Sequence, residues 1–410
     1  MRAAITILLL CTFGCLRADT IHVGKNKPVT SLKEGIRIAR EGDTIFLYKG
    51  VYREANLIID KPICLVGVEQ PVLDGEGKYE ILTITGKNTV IRGLHFANAG
   101  YSSMNDYAAL KVIDATNILI EQNIVSNAAF GIHMANSTHS IIRNNTIRGT
   151  RKSEHVSGNG VHLWKCSNMT VQGNTVQGHR DGIYFEFVTE STIQKNVSEK
   201  NIRYGLHFMF SHNDSYIENI FRNNGAGVAV MYSKNVHMER NLFEKNWGAS
   251  AYGILLKDIS NSHISNNRFI QNTMGIHMEG SSRIEISRNV FQANGWAIKV
   301  QASCDDNLFQ ANNFYQNSFD VATNGMMMLN KFTNNYWDKY EGYDMNKDGI
   351  GDVPYHPVSM YSMIVEQNPN ALMLLRSFAV SLLDKAERAI PSLVPENLMD
   401  DKPMLKPNRL

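Results

Sequence analysis

The chain has 410 residues, of which 43% are hydrophobic, and 41 Lys and Arg against 39 Asp and Glu leave a formal net charge of +2. A single compact core rarely grows beyond about 250–300 residues, so this length argues for several domains or one elongated fold. The balanced charge argues against a nucleic-acid-binding protein, which needs clustered basic residues.

The first 18 residues have the pattern of a signal peptide. A basic start at Arg2 precedes the apolar residues 3–10, and residues 16–18 form a candidate cleavage site before Asp19. A loose lipobox at residues 12–15 is the alternative, and it would leave a lipid anchor on Cys15. No later stretch reaches the 18 apolar residues of a membrane span. We therefore predict an exported, periplasmic protein that does not span the membrane.

Three cysteines follow the predicted signal peptide: Cys64, Cys166 and Cys304. Their number is odd and they form no Cys-x-x-Cys pair. This pattern disfavours both a disulfide framework and a thiolate zinc site.

The mature chain begins with a predicted N-terminal cap. Residues 30–40 are predicted to form a short helix with Ser31 at or near its N-cap, and residues 42–47 form the first coil of the structure that follows. A cap is needed because an open sheet end would otherwise pair with other chains.

From residue 118 onward one pattern recurs every 22 to 29 residues. Each copy has an apolar strand, an Asn, an apolar residue two positions later (Tyr315 after Asn313), a polar run, and then Gly-apolar-x-apolar. The repeated asparagines are Asn123, Asn145, Asn174, Asn196, Asn219, Asn241, Asn267, Asn289, Asn313 and Asn335. The 30 Gly against only 10 Pro also suit a repeat protein.

The period inside each repeat decides the type of solenoid. Apolar residues alternate, as in Ile118-x-Ile120, so the elements are short strands. Several strands in so short a repeat must form a closed coil that stacks on the next. We predict an all-β, right-handed parallel β-helix over residues 19–340, in which Asn takes the left-handed conformation at bends and hydrogen-bonds along the stack.

Two columns of side chains are predicted to face outward from the strand that follows the repeated Gly. The positions one and three after Gly are apolar and face inward, so positions two and four face outward. The first outward column is His133, His162, Tyr184, His207, Ala229, Leu255 and His277. The second is Ala135, Trp164, Glu186, Met209, Met231, Lys257 and Glu279.

These columns predict a Cu(I) site, because thioethers beside imidazoles are soft ligands that suit Cu(I). Neighbouring coils lie about 4.8 Å apart, which places the candidates on one patch. The predicted ligands are His207, Met209, Met231, His162, His133 and Glu186. Insertions at residues 151–157 and 248–252 border this face, and His155 is a further candidate. The alternative is that these side chains simply pack beneath a loop. For the Met residues at 326–328, we expect core filling.

Residues 341–358 contain a calcium-like loop. Asp344, Asn346, Asp348 and Asp352 fall at positions 1, 3, 5 and 9, with Gly349 at position 6. Position 12 is Tyr355 where a calcium loop has Glu, so the pattern predicts either a bound Ca²⁺ or an ion-free turn.

The C-terminal segment, residues 359–410, is predicted to dock on a partner. Residues 369–390 read as one helix and the residues after 393 as an extended tail. The apolar docking residues are Leu372, Leu375, Phe378, Leu382 and Leu383. The alternative is that the helix covers the last coil.

Polysaccharide-modifying β-helices need converging carboxylates, and the exposed columns offer only Glu186 and Glu279, four coils apart. Asp181 precedes its repeated Gly in isolation. The sequence also has no phosphate-binding Gly loop. We therefore expect no enzymatic activity, and an extracellular polysaccharide-binding or polysaccharide-modifying protein is the alternative.

The ends of the chain carry a more specific signal. The segments Asn335-Tyr-Trp-Asp-Lys-Tyr-Glu-Gly-Tyr-Asp344, Asp348-Gly-Ile-Gly-Asp-Val-Pro-Tyr355 and Leu374-Leu-Arg-Ser-Phe378, with Gly42-Asp-Thr44 near the N-terminus, are similar to the NosD family of nitrous oxide reductase maturation. The resemblance covers essentially the whole mature chain.

The resemblance implies a copper-handling periplasmic β-helix, peripheral to the inner membrane. Its implied partners are the permease and ATPase subunits of an ABC transporter, a copper chaperone lipoprotein and nitrous oxide reductase. It supplies no ligand motif, so the copper residues rest on the column pattern alone. We expect a copper-binding assembly factor.

Overall fold

In the computed structural model the chain winds into a parallel β-helix, which confirms the predicted all-β solenoid. The structure describes residues 18–102, 104–150, 153–325, 329–389 and 398–410. Residues 1–17 of the predicted signal peptide, with Cys15, and residues 326–328 lie outside this range. Each complete coil gives one strand to each of three sheets, and equivalent strands of successive coils pair in parallel.

The first sheet has 14 strands among the described residues. They are Thr20–Val23, Thr44–Tyr48, Cys64–Val68, Val90–Arg92, Leu119–Glu121, Ile141–Arg143, Thr170–Gln172, Thr192–Gln194, Ser215–Ile217, His237–Glu239, Ser260–Ser265, Ser282–Ser287, Leu308–Gln310 and Lys331–Thr333.

The second sheet has 13 strands within the same described ranges. They are Val51–Tyr52, Val72–Asp74, His95–Ala97, Ile124–Ser126, Thr146–Arg148, Thr175–Gln177, Val197–Glu199, Ile220–Arg222, Leu242–Glu244, Arg268–Ile270, Val290–Gln292, Asn313–Tyr315 and Tyr336–Trp337.

The third sheet has 12 strands in the part of the chain that the structure describes. They are Leu57–Ile59, Leu82–Ile84, Ala108–Ile113, Phe130–Ala135, Val161–Trp164, Ile183–Glu186, Tyr204–Met209, Ala226–Met231, Tyr252–Lys257, Met274–Glu279, Trp296–Val300 and Phe319–Thr323.

Helices occur mainly at the two ends of the solenoid. The α-helices are Leu32–Ile38, Met360–Gln367 and Phe378–Ala389, and the 3₁₀-helices are Glu154–Val156 and Pro369–Leu374. The described residues contain no helix that is both long and apolar enough to cross a membrane.

The predicted N-terminal cap is confirmed. The helix Leu32–Ile38 begins after Ser31, whose side-chain oxygen accepts a hydrogen bond from Glu34 N. Glu54 accepts two further hydrogen bonds, from Leu32 N at 2.9 Å and Lys33 N at 2.7 Å. The carboxylate therefore satisfies the free N–H groups of the first turn and complements the helix dipole.

Aromatic rings stack along the interior of the second sheet. Their centroids are 4.0 to 5.5 Å apart, and the stacked residues are Phe221, Phe243, Phe269, Phe291, Phe314 and Trp337. Such pairs add about 0.5–1.5 kcal/mol each beyond the burial of their surface. The three described cysteines are free, as the sequence predicts.

A ladder of buried asparagines runs beside this stack. Asn219 Oδ1 accepts from Asn196 N and Nδ2, both at 3.0 Å. Asn219 Nδ2 donates to Asn241 Oδ1 at 3.0 Å and to Ile193 O at 2.9 Å. The same contacts recur from coil to coil, so one side chain satisfies the polar groups of two neighbouring turns.

One position in the predicted ladder is wrong. The ladder passes through Asn312 and not Asn313, because Asn289 N donates to Asn312 Oδ1. Asn313 lies in a strand, and its neighbour Phe314 fills the core position predicted for Tyr315. The two adjacent asparagines allowed either register, and pairing of Phe291 with Phe314 decides between them.

The expectation that the repeated Asn takes the left-handed conformation is also wrong. The left-handed residue is the one immediately before it, for example Gln122 (φ 55°), Lys195 (φ 55°) and Glu218 (φ 56°). The Asn side chain is instead used in the ladder. Adjacent residues therefore form the bend and the ladder: one takes the left-handed backbone, and the Asn after it makes the ladder hydrogen bonds.

The end of the chain closes the ladder, which corrects the prediction of a free docking tail. Asp400 is fully buried, and its Oδ2 accepts from Asn335 N at 3.0 Å, Asn335 Nδ2 at 2.9 Å and Trp337 Nε1 at 3.0 Å. Met404 pairs with Tyr336 in parallel. Residues 398–410 thus belong to the solenoid.

The single helix predicted over residues 369–390 is broken in the structure. Pro369 begins a separate 3₁₀-helix that ends at Leu374, and the next α-helix starts at Phe378. Between them Arg376 is left-handed, with φ 65°, which a continuous helix cannot contain.

A buried carboxylate, Asp214, lies directly before the strand Ser215–Ile217 of the first sheet. Asp214 Oδ1 accepts from Ser191 N at 2.8 Å, while Oδ2 has no hydrogen-bond partner. Burial raises the pKa of Asp214 to about 8. The folded protein therefore holds this group protonated near neutral pH.

Replacing Asn219 with Ala tests the ladder. The change removes the acceptor of Asn196 N and Nδ2 and the side-chain donor to Ile193 O, and each buried group left unpaired costs about 1–3 kcal/mol. We expect a lower urea midpoint and a loss of at least about 2 kcal/mol. Gln194→Ala, on the outer face, is the control; equal midpoints for the two variants would contradict the role of the ladder.

Asp214→Asn tests the buried carboxylate. The folded pKa is raised, so its contribution is complete below the unfolded pKa, near 3.8, and is lost as pH rises through about 8. The variant does not titrate. The free energy of unfolding of the variant, relative to that of the wild type, should therefore increase from pH 5 to pH 9, as measured by urea titration. The slope of this difference should be no steeper than about 1.4 kcal/mol per pH unit. A pH-independent difference would refute the raised pKa.

Candidate functional site

The outward columns of the third sheet align as the repeat predicts. His133 pairs with His162, which pairs with Tyr184, and Tyr184 pairs with His207. In the second column Trp164, Glu186, Met209 and Met231 stand on successive strands. The parallel register therefore brings the predicted candidates onto one face.

The first column is covered, although it points away from the core. His207 is only 6% exposed, with the ring of Tyr184 at 5.1 Å and that of Tyr204 at 4.9 Å between centroids. Its Nε2 is buried and has no hydrogen-bond partner. An unpaired buried imidazole nitrogen is costly, which marks this atom as a candidate metal ligand.

The other side of the His207 ring faces an ion pair. His207 Nδ1 lies 3.5 Å from Asp181 Oδ2, and Arg203 donates hydrogen bonds to both oxygens of that carboxylate. Burial alone raises the pKa of Asp181, but hydrogen bonds from His207 and Arg203 outweigh it and hold the pKa below its ordinary value. Asp181 is therefore ionised at neutral pH.

Sequence reasoning missed Asp181, which it treated as isolated. Asp181 directly precedes Gly182, and Arg203 stands two residues before Gly205, so the two charges lie near the same corner on successive coils. Opposite charges one repeat apart were the available signal.

His133 and His162 form a second group on the same face. Their rings stack at 4.6 Å. Burial lowers the pKa of both and takes that of His162 to about 3, so both are neutral. Tyr184 separates them from His207, and two strand spacings are about 9.6 Å. The predicted ligands therefore divide into two groups along the face.

Met209 and Met231 are half-buried and occupy neighbouring positions. Met231 packs against a small apolar cluster of Ala229, Tyr252 and Leu255. These neighbours lie on strands of the same sheet and not on a loop. Glu186 pairs with Met209 in register, and its Oε2 accepts from Tyr184 at 3.4 Å.

An exposed aromatic ridge borders the two methionines. Phe187, Phe210 and Tyr232 follow the second column on three successive coils, with neighbouring ring centroids 5.1 to 5.2 Å apart. All three are left-handed, with φ between 50° and 55°. This backbone is unfavourable for bulky residues, and such strain concentrates at functional surfaces.

The first insertion reaches the site through Glu154, not through the predicted His155. Glu154 Oε1 lies 3.7 Å from Arg203 Nη1, while His155 is exposed and its carbonyl accepts from Tyr101. Over the described ranges, no three His, Cys, Asp or Glu side chains are placed to hold one metal ion.

The calcium-like loop is held by its own backbone. Asp344 Oδ2 accepts from Gly349 N at 2.9 Å, Asp348 Oδ1 from Ile350 N at 2.8 Å and Asp352 Oδ2 from Met345 N at 2.7 Å. Asn346 donates to Asp348 at 3.1 Å. The loop is therefore ordered by hydrogen bonds among its own residues, and both calcium binding and the ion-free turn stay predictions.

The predicted docking residues fall into two sets. Leu372 and Leu375 pack against the buried Tyr361 and Val365. Phe378 is 82% and Leu382 57% exposed, and Leu383 is half-buried. The break at Arg376 separates the sets, so the segment covers the last coils and also presents an apolar surface.

Comparison with known proteins gives two kinds of similarity. A family model described as "Periplasmic copper-binding protein (NosD)" matches residues 144–346. The chain is similar to the "Probable ABC transporter binding protein NosD" of Pseudomonas aeruginosa, at 28% identity over 91% of each chain. The protein of the same name from Stutzerimonas stutzeri is 27% identical over 86% of this chain and 85% of that one.

Solved structures share the architecture. The Dettilon tailspike protein superposes with a TM-score of 0.52 at 14% identity, covering 71% of this chain and 64% of the other. The A-module of the mannuronan C-5 epimerase AlgE4 of Azotobacter vinelandii gives 0.48 at 14% identity, covering 71% and 86%. Likeness at this identity concerns the fold alone.

Proposed function

Because this chain belongs to the NosD family, we propose that it is a periplasmic copper-binding assembly factor that works with an ABC transporter. It supplies copper for nitrous oxide reductase maturation and receives Cu(I) from a copper chaperone lipoprotein. The periplasmic, copper-binding description of the family and the transporter-binding names of its relatives support this role. In this role the transporter's ATPase subunits provide the energy, and the solenoid itself catalyses no reaction.

The observation that carries the proposal is the buried, unpartnered Nε2 of His207 on a sheet face that also carries the side chains of Met209 and Met231. Met209 follows two positions later on the same face, and Met231 is its neighbour on the next strand. One imidazole and two thioethers suit Cu(I) and are poor ligands for hard cations. We infer that these three side chains hold the copper cargo, with Glu186 at the edge.

The histidine pair extends this face by two coils. His133 Nδ1 is also buried without a hydrogen-bond partner, and the neutral imidazole is the metal-binding form. We infer that His162 and His133 accept copper during transfer.

The exposed part of the C-terminal helix gives the proposed contact with the permease. Phe378 and Leu382 present an apolar surface that the solenoid leaves uncovered. Leu372 and Leu375 anchor the segment to the last coils.

Replacing Met209 and Met231 together with Leu should lower Cu(I) affinity well over tenfold, because the thioethers are lost while the apolar volume is kept. Competition against a Cu(I) chelator measures the affinity. Met274→Leu is the control, since Met274 packs against the same apolar cluster but stands outside the column. Wild-type affinity in the double variant would reject the site.

Replacing Phe378 and Leu382 together with Ser should weaken co-purification with the transporter and leave the melting temperature unchanged, because both side chains face solvent. Leu375→Ser should instead lower the melting temperature, because Leu375 packs against the buried cluster. Truncation is unsuitable because it would remove the Asp400 cap of the ladder. Undiminished co-purification of the Ser variant would contradict docking.

A further inference from the structure

Asp181 is a fully buried charge whose position the fold alone does not explain. It lies at the corner that leads into the strand Ile183–Glu186 and is 0% exposed. A buried carboxylate is unfavourable unless it is paired and hydrogen-bonded. Its partners therefore indicate what it does.

Arg203 fixes the carboxylate in one orientation. Arg203 Nε donates to Asp181 Oδ1 at 2.9 Å, and Nη2 donates to Oδ2 at 2.6 Å. Tyr204 N also donates to Oδ1, at 3.4 Å. This bidentate pairing leaves Oδ2 facing the His207 ring, with no freedom to rotate away.

Two neighbours compete for His207 Nδ1. Asp181 Oδ2, an acceptor, lies 3.5 Å away, and Arg203 Nη2, a donor, lies 3.4 Å away. If Nδ1 carries the proton, it donates to Asp181 and leaves a lone pair on Nε2. If Arg203 donates to Nδ1, the proton sits on Nε2, which is buried without an acceptor.

The first arrangement is favoured on physical grounds. An unpaired buried N–H costs about 1–3 kcal/mol, whereas a hydrogen bond to a carboxylate is among the stronger kinds. Arg203 Nη2 also already donates to Asp181 at the shorter distance. Nδ1 of His207 faces Asp181 and Arg203, so on this ring Nε2 is the nitrogen left for a metal ion, and it binds one only through its lone pair.

We propose that Asp181 is a positioning residue that keeps the proton of His207 on Nδ1 and so presents Nε2 to Cu(I). Arg203 fixes Asp181 for this task. A carboxylate that orients a histidine in this way commonly raises the metal affinity of a site. The inference rests on the proposed copper-binding function and names the residues that prepare the ligand.

Nuclear magnetic resonance of ring-¹⁵N-labelled histidine in the metal-free mature protein reads the tautomer directly. The chain has 13 His, and loss of one signal in His207→Gln assigns the residue. We expect Nδ1–H in the wild type. In Asp181→Asn we expect Nε2–H, because Arg203 retains the amide oxygen and turns the amide N–H₂ toward Nδ1. A purely packing role for Asp181 would not move the tautomer.

Chelator competition then measures Cu(I) affinity in the same variants. Asp181→Asn should lower it about 10–100-fold, and Asp181→Glu should recover part of the loss. Glu154→Gln removes the other carboxylate near Arg203 and should change nothing. Should Asp181→Asn fail to fold, Arg203→Lys serves instead, with a smaller loss and Nδ1–H retained.

An Nε2–H tautomer in the wild type would overturn the proposal. So would an Asp181→Asn variant that keeps both Nδ1–H and wild-type affinity. If the wild type takes up no Cu(I), the proposed function fails, whereas the tautomers still decide the role of Asp181.

Discussion

Hydrogen bonding between the buried asparagines sets the register of the coils from Asn123 to Asn335. Each ladder Asn accepts from the coil before it and donates to the coil after it, so a shift of one residue would leave several buried groups unpaired. The ladder ends on Asp400, which takes the place of a further Asn. Because this register is fixed, side chains one repeat apart stand next to each other on the outside.

The proposed copper-binding face is a consequence of that register. Met209 and Met231 are 22 residues apart in sequence and are neighbours on the third sheet. Asp181 meets Arg203 and His207 for the same reason, because it lies on the coil before theirs. The site thus requires no special loop. It needs only a regular stack in which three or four positions carry residues that differ from those at the equivalent positions of other coils.

Those departures are unfavourable by themselves. Asp181 is a buried charge, and Phe187, Phe210 and Tyr232 hold a left-handed backbone that suits Asn, Asp or Gly better. Equivalent positions on other coils carry Asn136, Asp258 and Gly280. The solenoid tolerates this because each coil is stabilised by two neighbours, while the strain is confined to a surface beside the thioethers.

The sequence by itself determined the solenoid of stacked short strands and the two outward columns, because a period of about 22 residues and strand alternation leave few other solutions. It could not decide whether Asn312 or Asn313 belongs to the ladder, and it could not place residues 398–410. The repeat pattern does not show which residue makes the hydrogen bond to a neighbouring coil, nor which distant segment packs on the last coil. The column pattern placed His207 and Met209 correctly on one face. Only the tertiary structure decided that Tyr184 divides the histidines, that Asp181 faces His207 and that Arg376 breaks the C-terminal helix. Those features depend on burial and on side-chain orientation across coils, and strand periodicity fixes neither.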